Sequence, residues 1–149
     1  MDLAALSTPA DLEFVVAADG PHVPEHCLEV ELPFLQPALA SFQIVPLVFG
    51  DALPNDVASA LRRLWGGPET LIVVSCDLSH YHPYEVAQRL DADNANAIEH
   101  GDWTSLRPNQ ACGCLAVAGL LIEASVVASG LTGFHCVTLG TLLVRGTGA

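Results

Sequence analysis

Residues 76–82 read CDLSHYH, directly after the apolar run TLIVVS (70–75). Asp77 and His80 stand three apart, with His82, Tyr81 and Tyr84 beside them. A carboxylate paired with an imidazole fixes its tautomer and raises its basicity, which suits an acid/base group or a metal ligand. The plainer alternative is a loop in which Asp77 or Ser79 caps the next helix and the histidines only meet solvent. His82, beside Pro83, is the weaker histidine. A second cluster, NQACGCLAV (109–117), places Cys112 just ahead of an apolar helix. A helix N-terminus favours negative charge, so Cys112 is a candidate thiolate. Cys112 and Cys114 are one residue apart, which is not C-x-x-C spacing, so small buried hydrophobes are the competing reading. That plainer reading is preferred for Cys27, Cys114 and Cys136. A third cluster joins His26 to Glu29, with Glu31 nearby. Spaced three apart, His26 and Glu29 can act together as ligands or as an acid/base pair, or form an exposed acidic turn.

The elements around these clusters alternate. Residues 1–25 carry Pro9, Gly20, Pro21 and Pro24 and read as loop with one short strand near LEFVV. Leu28, Leu32 and Leu35 keep helical spacing, but Pro33 and Pro37 limit the expected helix to short pieces. FQIVPLVFG (42–50) is strand-like, with Pro46 pointing to an edge or a bulge. NDVASALRRLW (55–65) is an amphipathic helix, with Asn55 or Asp56 as its expected cap. ETLIVVS (69–75) reads as a strand buried on both faces. PYEVAQRLDADNANAIEHG (83–101) is helical, started by Pro83 and stopped by Gly101. CLAVAGLLIEASVVASG (114–130) is a more apolar helix, and FHCVTLGTLLVRG (134–146) one strand or two. Strands alternating with helices predict one layered α/β domain over 1–149, with a central mixed or mostly parallel sheet. Ligands bind beyond the C-terminal strand ends in such sheets, and TLIVVS delivers Asp77 there.

Composition narrows the function. The chain has 149 residues, 51% hydrophobic and 15% charged, which describes a globular protein rather than a disordered one. Five Lys+Arg face 17 Asp+Glu, a net charge of −12. Such a balance disfavours nucleic acid and anionic membranes, both of which need clustered cations. The longest apolar stretch, 114–131, is interrupted by Glu123 and reads as a buried helix rather than a membrane span. The N-terminus lacks a basic n-region, so a cytoplasmic location is expected. Five cysteines without a regular framework suit reduced thiols. Phosphate loops, G-x-G-x-x-G, G-x-S-x-G and H-E-x-x-H are all absent.

Four ordered segments resemble the Memo-like family, also known as protein B of the AmmeMemoRadiSam system. EHCLEVELPFLQ (25–36) is similar to its EHS-[IL]-E-x-x-LPF segment, and IVPLVFGD (44–51) to its I-x-P-[IL]-x-V-G strand. VVSCDLSHYHPYEVAQRLD (73–91) resembles SSDLSHY-x-PYE-x-A, and ACGCLAVAGLLIEA (111–124) the CG-x-x-P-[IV]-x-x-LL helix. The likeness covers roughly residues 8–130. It implies an α/β fold like that of class III extradiol dioxygenases and LigB-type proteins. It also implies a cleft of histidines, an aspartate and a cysteine that binds iron or copper in some members. Carried over by position, Cys112 is the implied metal ligand. Asp77 and His80 match the aspartate and histidine of the SSDLSH motif, and His26 the histidine of EHS.

This sequence departs from the pattern in places. The HAGY-type and GP-x-H-type motifs, which supply two further ligand histidines in the family, are not in this chain. Cys76 and Cys27 replace the serines of SSD and EHS, Val117 or a neighbour replaces a proline, and the SGDT segment is missing. The expectation is a truncated or divergent member whose dioxygenase-like cleft is a remnant. In it Cys112 would hold the metal, His80 act as acid/base or auxiliary ligand, Asp77 orient it and His26 line the cleft. The alternatives are an active iron or copper redox enzyme and a non-catalytic interaction module. A missing half-sheet would expose apolar surface to a protein partner or a second copy.

Overall fold

Val57, Leu61 and Leu64 are spaced four and three apart, so they share one face of a helix. In the computed structural model, which describes residues 7–67 and 69–127 and the backbone of 142–146, that face is fully buried. The elements in order are α1 (Cys27–Ala38), β1 (Phe42–Pro46), α2 (Pro54–Leu64), β2 (Thr70–Val73), α3 (Tyr84–Glu99), α4 (Cys114–Val127) and β3 (Leu142–Gly146). The chain is thus mixed helix and strand, consistent with the expected α/β class. Cys136, Gly130 and the expected strand start near residue 134 lie outside the described residues.

The sheet differs from the expected mixed or mostly parallel one. Its order is β1-β3-β2, and both ladders are antiparallel, with Phe42 opposite Gly146 and Thr70 opposite Arg145. The reason is the position of β3. β1 and β2 point the same way, as a β–α–β crossover requires, but β3 returns between them. Both are therefore edge strands among the described residues, which tolerates Pro46 at the end of β1. Leu71 of β2 is 46% exposed, so the strand expected to be buried on both faces is not.

Three local expectations change. Residues 12–16 are a bend and turn followed by irregular chain, not a strand, and among the described residues before α1 the regular element is a short 3-10 turn at Gly20–His22. α1 runs unbroken through Pro33 and Pro37. Both prolines lie on the exposed face, so the carbonyls of Glu29 and Pro33 that lose a donor can turn to solvent. Leu35 and Glu31 are buried on the opposite side, where burial pushes the Glu31 carboxyl up. Finally, α2 is capped at Leu53 rather than Asn55 or Asp56; Asp56 instead accepts the Leu53 N–H at 3.2 Å.

α4 packs on α2 through Gly119, where a Cβ would stand 2.3 Å from Cγ1 of Val57. The single acid of this apolar helix, Glu123, is 2% exposed and accepts both Nε (2.9 and 3.1 Å) and Nη2 (2.8 Å) of Arg62. That pairing lets a carboxylate sit in a buried helix. No helix among the described residues is long and apolar enough to cross a membrane. α3 ends as Gly101 implies: its φ is 71°, its N–H donates to Ile98 O, and the Asp102 N–H donates to Ala97 O.

Candidate metal centre

Beyond β2 the chain stays extended, and alternation decides what it presents. Val74 and Cys76 point into a core shared with Ala111, Cys114, Ala116 and Val117. Asp77, next in line, is exposed. The segment ahead of α4 lies alongside. The Cys112 N–H donates to Asp77 O at 3.0 Å, and the Asp77 N–H donates back to Cys112 Sγ at 3.1 Å. One step on, the Gly113 N–H donates to Cys76 Sγ at 3.2 Å. The two segments are fastened residue by residue, which fixes the Cys112 sulfur beside Asp77.

Gly113 permits this approach. A Cβ there would stand 2.6 Å from Ser75 O and 2.7 Å from Cys76 Cβ, neither of which can swing aside. Gly113→Ala is expected to cost about 1–3 kcal/mol in urea unfolding. A change under about 0.5 kcal/mol, the size of an ordinary surface substitution, would mean the segments are not locked together.

α3 braces both sides. Its Asp91 accepts the Ser79 N–H at 2.8 Å, and the Asn94 side-chain amide donates to Gln110 O at 3.1 Å. α3 itself starts behind Pro83 without a side-chain cap, so neither Asp77 nor Ser79 serves as its N-cap. His80 Nε2 lies 3.5 Å from Asp77 Oδ2. Tyr81 follows with φ 59°, a left-handed conformation that costs a bulky residue about 1–2 kcal/mol. Its ring is fully exposed, tilted 40° to the His80 ring with centroids 6.0 Å apart.

The result is a cluster of three donors. Asp77, His80 and Cys112 each offer a ligand atom, and these atoms lie within 4.8 Å of one another, all on exposed residues. Among the described residues no other three of His, Cys, Asp or Glu gather this closely. The donor set mixes a thiolate-forming sulfur, an imidazole and a carboxylate. That chemistry fits iron, copper or zinc better than magnesium or calcium, and three protein ligands leave positions open.

His26 is not part of the cluster. It is exposed at the start of α1, where its carbonyl accepts the Val30 N–H at 3.2 Å. Its neighbours Glu25 and Cys27, however, line a cleft of about 180 Å³ together with Phe49, Ser75, Cys112 and Gly113. Cys27 is therefore half-buried at a cleft wall rather than a core hydrophobe. His82 is exposed and outside the cluster. Cys76 and Gly113 matter more than spacing alone indicates. The only cue in the sequence was a glycine held between two cysteines.

Cys76 and Cys112 differ sharply in setting. Burial pushes the Cys76 thiol up to about 12, while Cys112 is exposed. At about pH 8 Cys76 is therefore held as the thiol. Iodoacetamide at that pH is expected to label Cys112 well before Cys76, as read by peptide mass mapping; equal rates would contradict the burial. A pKa raised on folding stabilises fully below the unfolded value of 9.0, and this contribution fades as pH rises toward 12.

A profile described as Memo-like protein matches residues 5–128. The chain belongs to the Memo-like protein family. It is 35% identical over 125 residues to a MEMO1 family protein of Thermoplasma volcanium, covering 77% of this chain and 46% of that one. It is 40% identical over 85 residues to one of Thermotoga maritima, covering 54% and 31%, and 40% identical over 94 residues to one of Aeropyrum pernix, covering 59% and 34%. The chain thus spans less than half the length of these Memo-like relatives. No solved structure matches it.

Proposed function

We propose that this Memo-like chain binds a transition metal, iron or copper, through Cys112, with His80 and Asp77 beside it, in a remnant of a dioxygenase-like cleft. The observation that carries the reading is the convergence of the three donor atoms within 4.8 Å. A bound iron or copper would supply Lewis acidity and one-electron redox chemistry at its open positions. Asp77, with Oδ2 toward Nε2, orients the His80 ring and leaves Nδ1 for a ligand bond or a proton. His26 stands outside the ligand set, and its neighbours Glu25 and Cys27 line the cleft instead. With three donors on exposed residues, the cleft excludes little water, and this chain is not a complete catalyst by itself. The test is anaerobic titration of the full chain with iron(II) and with copper(I). One metal per chain is expected, and no saturable uptake of either would end the reading.

A second reading, an interaction module, draws on exposed apolar side chains. Phe34 on α1 is 67% exposed, Val30 42% and Leu71 of β2 46%. Apolar surface of this kind marks partner contacts, with another protein or a second copy of the chain. Light scattering that finds a monomer at all concentrations, with no binding of an apolar dye, would remove it.

A further inference from the structure

We propose that Cys76 and Cys112 form a reversible disulfide when the protein meets hydrogen peroxide, and that the bond takes Cys112 out of the donor cluster. The two residues sit on the two fastened segments. The Asp77 N–H meets Cys112 Sγ at 3.1 Å and the Gly113 N–H meets Cys76 Sγ at 3.2 Å, so each sulfur lies against the backbone next to the other cysteine. The Cys76 thiol donates to Asp77 O at 3.4 Å, the same carbonyl that accepts the Cys112 N–H. A Cβ on Gly113 would come 3.1 Å from Cys76 Cα. The two segments thus touch one residue from Cys112, the kind of close backbone approach a disulfide needs.

Exposure assigns the two roles. Cys112 is open to solvent and meets peroxide first; Cys76 is 3% exposed and waits behind it. The Cys112 thiolate attacks one peroxide oxygen, the O–O bond breaks, and Cys112 becomes a sulfenic acid as hydroxide leaves and takes a proton to form water. Cys76 sulfur then attacks the Cys112 sulfur. The S–S bond forms, the S–O bond breaks, and the departing oxygen leaves as a second water with the Cys76 proton. Two thiols lose two electrons in all, and one peroxide gains them. A dithiol reductant reverses the change by thiol–disulfide exchange. Cys27, on the wall of the same cleft, and Cys114 are the competing partners, and a link of Cys112 to either would overturn the proposal; for Cys114 the helix starts at that residue, and closing a ring across Gly113 alone would distort the first turn.

The consequence for metal uptake rests on the metal-binding reading above; the disulfide does not. The test treats the full chain with hydrogen peroxide, blocks free thiols and maps the peptides. Cleavage after Arg89 places Cys76 and Cys112 on different tryptic peptides, so their link is distinguishable from one between Cys112 and Cys114. A Cys76–Cys112 link in the wild-type chain, removed by dithiothreitol, is expected. In Cys76→Ser, Cys112 should instead remain a sulfenic acid that dimedone traps. A Cys112–Cys114 link, a link between chains, or stable sulfenic acid in the wild-type chain would each overturn the proposal. Iron(II) uptake should fall at least about tenfold on oxidation and return on reduction. A chain that takes up no metal in either state but forms the link would reject the metal reading and leave the disulfide standing.

Discussion

Cys112→Ser is expected to weaken iron(II) or copper(I) binding by more than about 100-fold, beyond the about 10–100-fold typical of groups that only support a ligand. The reason is the softness of the sulfur. A serine hydroxyl keeps the size and the hydrogen bond from the Asp77 N–H, but it is a poor ligand for these ions and stays protonated. His80→Ala removes the only imidazole of the cluster and should cost a comparable amount. His26→Ala should change affinity less than about tenfold, because its ring is not one of the three converging donors. Anaerobic titration against a competing chromophoric chelator, which reports free metal in every variant, reads the difference. An unchanged affinity in Cys112→Ser would remove the sulfur from the ligand set. A loss in His26→Ala as large as in Cys112→Ser would mean that α1 closes onto the cluster when metal binds.

Leu61→Ala should be the most damaging single core substitution on α2, costing about 2–5 kcal/mol. Leu61 is fully buried, one helical turn from Val57 and Leu64, on the face that packs against α4. α2 and α4 are close beside it, since a Cβ on Gly119 would stand 2.3 Å from Val57 Cγ1, so the vacated space has little means to close. For a chain of this size the loss corresponds to a fall in Tm of about 5–15 °C, read by circular dichroism. Leu53→Ala on the same helix is the control. Leu53 is 66% exposed and should change stability by less than about 0.5 kcal/mol. Equal effects at the two positions would mean that the α2–α4 face does not hold the fold.

Much of the candidate site could be read directly from residues. Asp77 and His80 belong to a strand-end motif, and Cys112 to a motif ahead of a helix; their types alone announced metal or acid/base chemistry. The helices found at Tyr84–Glu99 and Cys114–Val127 were legible for local reasons, Pro83 and Gly101 being placed where the first of them starts and stops. The helix through Pro33 and Pro37 was not. Whether a proline breaks a helix depends on whether the freed carbonyls face water, and that is set by which side of α1 meets the core. The antiparallel order β1-β3-β2 was equally hidden, because a strand from the far end of the chain inserts between two strands that local patterning reads as neighbours.

Residue types and motif order thus determined the family, Cys112 as the metal-ligand candidate, and His80, Asp77 and His26 as the residues expected around it. Tertiary structure alone decided that Asp77, His80 and Cys112 meet while His26 stays apart. Spacing along a chain fixes only what neighbours share. Asp77 and Cys112 are 35 residues apart, and they are brought together by hydrogen bonds between two backbone segments and a glycine small enough to let those segments touch.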